Sequence, residues 1–100
     1  MKKEQLHEYL RTVCPGRKKV VGSATLRSVL RVSDTELRKL VNRLRREGVP
    51  VASSRDGYFY AVTAGEVYTT IRQLKKMSSG LEAAIQGLES TLDRFGGDPT

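Results

Sequence analysis

Residues 33–48, SDTELRKLVNRLRREG, carry a helix with both ends written into it. Ser33 followed three residues later by Glu36 is a capping-box pattern, which satisfies free amides at a helix start. Leu37, Leu40, Val41 and Leu44 recur at i, i+3, i+4 and i+7, a single apolar stripe. Gly48 takes positive φ readily and stops the helix. A helix so sharply bounded fixes where its neighbours start, and those neighbours decide the fold.

Immediately before it, residues 23–30, SATLRSVL, read as a shorter helix with Leu26, Val29 and Leu30 apolar. Only Arg31-Val32-Ser33 separates the two. Further upstream, residues 2–13 place Leu6, Tyr9, Leu10 and Val13 on one helical face. Cys14-Pro15-Gly16 ends that helix, because proline disfavours helix in the residue before it. Residues 17–21, RKKVV, read as a short basic strand. After Gly48, VPVAS and YFYAV joined by SRDG read as a hairpin. Alternation along the second strand puts Tyr58 and Tyr60 on one face, expected toward the core, and Phe59 on the other. Thr63 and Glu66 form a second capping box, and a long helix is expected from about 64 to 95.

The expected fold class is therefore mainly α with a small β-hairpin: a winged helix-turn-helix followed by a long C-terminal helix. The division is 1–62 for the winged domain, 63–96 for the long helix and 97–100 for a disordered tail. Leu26 and Leu30, Val32-Ser33, the stripe Leu37, Val41 and Leu44, EGVPV at 47–51 and DGYFY at 56–60 carry a resemblance. Over these roughly forty residues the chain resembles the N-terminal DNA-binding domain of the biotin-ligase repressor family and its phage-borne relatives. The resemblance implies the winged fold. Its residues are core and turn positions, so it implies no particular operator or ligand. The long helix after Tyr60 departs from that family and leaves a biotin-linked role without support.

Charge separates the two parts. Residues 1–60 hold 14 Lys or Arg against 6 Asp or Glu, whereas residues 61–100 hold 4 against 5. The net charge of +7 thus resides in the winged part, where it suits a polyanion such as double-stranded DNA. On a helical wheel Thr35, Arg38, Lys39 and Asn42 lie opposite or beside the apolar stripe, toward the end that enters a major groove first. They are the base-facing candidates: arginine offers paired donors to guanine, and asparagine a donor and an acceptor to adenine. Arg43, Arg45 and Arg46 are phosphate candidates, joined by Arg17, Lys18 and Lys19 in the basic segment and by Arg55 at the hairpin tip. A basic helix face that is merely solvated is the bland alternative. The helix-turn-helix frame around this one favours nucleic acid.

The long helix has its own period. Ile71, Ser78, Ile85 and Leu92 fall at heptad a, and Val67, Leu74, Leu81, Leu88 and Phe95 at d. Isoleucine-rich a with leucine-rich d favours a parallel two-stranded coil. Ile71, Leu74, Ser78, Leu81, Ile85, Leu88, Leu92 and Phe95 are therefore the dimer-interface candidates. A break at Ser78-Ser79-Gly80 with fold-back over the domain is the alternative, and Met77 and Ala84 at g leave room for a larger bundle.

One cysteine, Cys14, makes no intrachain disulfide framework and reads as a small apolar filler. The single histidine, His7, has no ligand-spaced companions, so no metal site and no cofactor are expected. No phosphate-binding glycine loop or nucleophile elbow occurs, and an enzyme reading has nothing positive behind it. No apolar run suits a membrane span or signal peptide, so the expected location is cytoplasmic. These readings give two expectations. The first is a sequence-specific DNA-binding homodimer, a small transcriptional regulator. The second is a non-enzymatic adaptor in a phage or replication assembly that uses the same two parts to bind protein.

Overall fold

The computed structural model describes residues 1–91. In chain order the elements are α1 (Lys2–Val13), one 3-10 turn (Arg17–Lys19), α2 (Ser23–Leu30), α3 (Asp34–Arg46), β1 (Val51–Ser54), β2 (Gly57–Tyr60) and α4 (Ala64–Thr91). The fold is mainly α with one small antiparallel hairpin and a long C-terminal helix. Leu92, Phe95 and the expected tail at 97–100 lie outside the described residues. By compactness the chain divides into Met1–Thr70 and a second unit that begins at Ile71.

One core organises the first unit. Leu6 and Leu10 of α1, Leu26 and Leu30 of α2, and Leu37, Val41 and Leu44 of α3 are all buried. Val51, Ala52 and Phe59 close it from the hairpin, with Cys14 and Ala61 at its edge. Each fully buried leucine contributes about 1.5–3 kcal/mol through apolar area removed from water. Burial also pushes the Cys14 thiol up, so it stays protonated and acts as packing. Two positions expected on apolar faces do not enter the core. Val13 is the last residue of α1, Val29 lies to one side of the Leu26–Leu30 line, and both are half exposed.

The hairpin corrects the face assignment of its aromatics. Phe59 pairs with Ala52, and that pair is buried, while Tyr58 and Tyr60 are only half-buried on the other face. Alternation holds, but the face belonging to the core is the one bearing Phe59. The tyrosines are covered locally: Tyr60 stacks on the ring of His7, centroids 6.0 Å apart and planes within 9°.

The basic segment also differs from expectation. Residues 17–19 form a 3-10 turn, and only Val21 pairs as a strand would. Val21 N donates to Tyr58 O at 2.9 Å, and Tyr58 N donates to Val21 O at 2.8 Å. Tyr60 N donates to Cys14 O and Gly16 N to Tyr60 O, each at 2.7 Å. β2 is thereby satisfied on both edges, by β1 on one side and by residues 14–21 on the other. The approach is so close that Gly57 is obligatory. Its φ is +140°, and a Cβ there would sit 2.0 Å from the Val21 carbonyl oxygen.

The outer edge of β1 is closed by side chains from two helices. Ser53 N donates to Thr70 Oγ1 at 3.2 Å, and Arg45 Nε donates to Val51 O at 2.9 Å. Arg45 Nη2 also donates to Ser53 Oγ at 3.2 Å. An edge strand with its amide and carbonyl occupied is a poor template for stray pairing. Thr70 is the one buried polar residue of the described chain, and this bond explains its burial. The first turns of α4 thus belong to the first unit.

Helix ends follow the capping patterns, with variations. Ser33 Oγ accepts from Glu36 N at 3.1 Å, and its hydroxyl donates to Glu36 Oε1 instead of leaving that carboxylate to its own amide. Thr63 Oγ1 accepts from Glu66 N at 3.2 Å. Glu66 reaches further than a capping box requires: it accepts from Val62 N at 2.8 Å and from Arg17 N at 3.0 Å. Those two amides, Val62 first, hold the Glu66 carboxyl below the usual carboxylate range.

Candidate nucleic-acid interface

α2, the 31–33 turn and α3 set the frame for the candidate site. Both helix exits turn through a left-handed residue. After α3, Val49 N donates to Leu44 O at 3.0 Å and Gly48 N to Arg45 O at 3.1 Å, with Gly48 at φ +86°. These are the two bonds of a Schellman cap. After α2, Val32 N donates to Arg27 O at 3.1 Å, and the left-handed position is held by Arg31 at φ 57°. Lys2 Nζ donates to the Leu30 carbonyl at that same end, placing a cation where the helix dipole is negative.

α3 presents two faces. Leu37, Val41 and Leu44 are fully buried, and Leu40 is half-buried beside them. Thr35, Arg38, Lys39, Asn42, Arg43 and Arg46 are all exposed. The four base-facing candidates thus share the solvent face with two of the three helix phosphate candidates. Arg38 pairs with Asp34 at 2.8 Å, one turn back. Both side chains are largely exposed, and such i,i+4 pairs are worth only about 0.3–0.5 kcal/mol. That is little to give up for a better anion.

Arg45 stands apart from this set. Its guanidinium is tied to β1 through Val51 O and Ser53 Oγ, and burial pushes its pKa down while leaving it a cation. On the wheel it lies beside the buried stripe close to Arg38, which stays exposed, so the helical period does not separate it from Arg43 and Arg46. In this fold Arg45 fastens α3 to the hairpin, so its donors are already engaged.

The remaining cations lie on loops. Arg17, Lys18 and Lys19 are exposed in the 3-10 turn, where the backbone amide of Arg17 is held by Glu66. Arg55 is exposed in the two-residue hairpin turn with Asp56. Arg31 is a further exposed cation, and its place in a three-residue connection gives no sequence signal that sets it apart. Of the acids near α3, Glu36 is engaged with Ser33, Asp34 with Arg38, and Glu47 with Lys3 at 2.7 Å.

The long helix is uninterrupted. Ser78, Ser79 and Gly80 are helical, so α4 has no break there to fold back on. Its heptad residues past Thr70 are exposed, from 39% for Ile71 and Leu74 to 66% for Leu81 and 69% for Leu88.

Among the described residues no three His, Cys, Asp or Glu side chains gather as metal ligands would. No helix among them is long and apolar enough to cross a membrane. No family model, curated protein or solved structure matches the chain.

Proposed function

We propose that the chain is a sequence-specific double-stranded DNA-binding protein of the winged helix-turn-helix type, acting as a homodimer in transcriptional regulation. The observation that carries this reading is the outer face of α3. Thr35, Arg38, Lys39, Asn42, Arg43 and Arg46 are exposed together on the second helix of a closely spaced pair, with the hairpin immediately following. Such a helix enters a major groove with its N-terminal residues nearest the bases. Thr35, Arg38, Lys39 and Asn42 then read base edges, and Arg43 and Arg46 hold phosphates. Arg17, Lys18, Lys19 and Arg55 add backbone or minor-groove contacts from the flanks. The exposed seam of α4 supplies the dimer contact and calls for a two-fold symmetric site.

Selection from random duplex DNA tests the reading. The expected result is enrichment of a palindromic sequence whose half-sites change when Asn42→Ala is selected in parallel. Absence of enrichment, with no shift of any duplex at low salt, overturns it. A protein-binding adaptor is the second reading, and the exposed Leu81, Ile85 and Leu88 favour it. It predicts partner capture that survives Lys39→Ala with Arg46→Ala and fails when those three residues become polar.

A further inference from the structure

The exposed stripe of α4 has charges arranged along it in a way that selects an orientation. Arg72, Lys75 and Lys76 occupy the half before Ser78, and Glu82 and Glu89 the half after Gly80. In the heptad set by Ile71, Lys75, Glu82 and Glu89 all fall at e, whereas the g positions are Thr70, Met77, Ala84 and Thr91. A parallel pair of helices brings e against g of its partner. It would set Lys75 beside Thr70, Glu82 beside Met77 and Glu89 beside Ala84, with no charge matched. It would also lie basic half on basic half and acidic half on acidic half.

The opposite orientation matches both the core and the charges. Running two copies antiparallel sets each a residue level with a d residue of the other. Ile71 then meets Leu88, Leu74 meets Ile85, and Ser78 meets Leu81, which buries the polar Ser78 against a leucine instead of against itself. The same alignment brings e against e, with Lys75 of one copy about two residues, or roughly 3 Å along the axis, from Glu82 of the other. Symmetry repeats that pair on the same flank, across the two-fold axis. Lys75 and Glu82 make no ion pair within the described chain.

We infer that α4 dimerises with a second copy of this chain as an antiparallel coil centred near Ser79-Gly80, oriented by reciprocal Lys75–Glu82 pairs. This rests on the homodimer reading above and replaces the parallel coil that the a and d residue types alone favour. The charge complementarity of the two halves is what commits the seam to a second copy. The two copies of Ile71 are then seventeen residues of helix apart, about 25 Å, where a parallel coil would leave them adjacent.

Cysteine cross-linking of the whole chain under mild oxidation tests it, alongside mass measured by sedimentation. Ile71→Cys and Leu88→Cys are prepared separately and mixed; both sites are exposed, and the native Cys14 is buried. The expected result is a disulfide only in the mixture, joining one variant to the other, in a species of dimer mass. Cross-linking of each variant to itself means a parallel coil, which overturns the orientation and leaves the homodimer standing. A monomer mass overturns the homodimer as well. Mass above a dimer, or a dimer that never cross-links, overturns the two-stranded seam. Charge exchange gives an independent readout. Lys75→Glu or Glu82→Lys alone weakens dimerisation roughly tenfold across the two reversed pairs. The double exchange restores it, whereas equal effects that simply add would overturn the pairing.

Discussion

α3 and α4 carry the same kind of apolar stripe and meet opposite fates. The stripe of α3 is covered by α1, α2 and the hairpin, so Leu37, Val41 and Leu44 are lost from solvent. In α4 only the first turns are used by the fold, through Glu66, Val67 and Thr70, with Thr63 as the cap. From Ile71 onward the stripe is exposed in the single chain. An amphipathic pattern states that a helix has an apolar side. It does not state whose atoms will cover it. The charged sides differ as well: α3 shows solvent a nearly unbroken basic arc, and α4 a basic half followed by an acidic half. One arrangement suits a uniform polyanion, the other a copy of itself.

The largest test of this contrast compares matched truncations. Leu37→Ala should destabilise the folded chain by about 2–5 kcal/mol in urea unfolding, the usual cost of emptying a buried leucine site. Leu81→Ala should leave the unfolding of the isolated protomer nearly unchanged and raise the dimer dissociation constant in sedimentation. Equal losses of protomer stability from the two would erase the distinction between the helices.

Within α3 the contrast can be sharpened between neighbouring arginines. Arg45→Ala strands the Val51 carbonyl and should cost about 1–3 kcal/mol of stability. Arg46→Ala, on the solvent arc, should leave stability within about 0.5 kcal/mol of the parent and reduce the salt slope of DNA binding by about one.

A smaller effect separates the two helix exits. Arg31 and Gly48 fill the same left-handed cap position, and only glycine does so without steric cost. Arg31→Gly should raise stability by up to about 1 kcal/mol and, by removing an exposed cation at the turn, weaken DNA binding. A loss of stability would mean that the Arg31 side chain supports the turn.

The smallest expected effect is one of acidity, at the junction where α4 enters the fold. The Glu66 pKa is lowered in the folded chain by the amides of Val62 and Arg17. A depressed carboxyl contributes stability that is present above its unfolded pKa and is lost as pH falls through the folded one. Melting curves should therefore show the parent losing stability below about pH 4.5, with Glu66→Gln less stable at neutral pH and flatter toward acid.

Much of the fold was legible because local patterns agreed with one another. The ends of α3, its stripe, the hairpin and both capping pairs followed from turn chemistry and period alone. The face of β2 was not legible, since alternation separates Phe59 from its two tyrosines but does not say which side meets the core. That depended on Ala52 across the strand pair and on His7 waiting for Tyr60. Residues 17–21 look strand-forming in isolation, yet only Val21 reaches β2. In the candidate site, exposure of Thr35, Arg38, Lys39, Asn42, Arg43 and Arg46 followed from the wheel. The diversion of Arg45 to β1 did not, because it depends on a strand edge that sequence does not position.

The central claim is that the solvent arc of α3 holds duplex DNA through charge and reads it through Arg38, Lys39 and Asn42. Fluorescence anisotropy of a selected duplex and a scrambled one, titrated over stepped salt, tests it most directly. The expected result is a steep linear fall of log affinity with log salt for both duplexes. Asn42→Ala should narrow the gap between them, and Arg43→Ala with Arg46→Ala should weaken both alike. Binding that is indifferent to salt, or a gap between duplexes that Asn42→Ala leaves untouched, would contradict it.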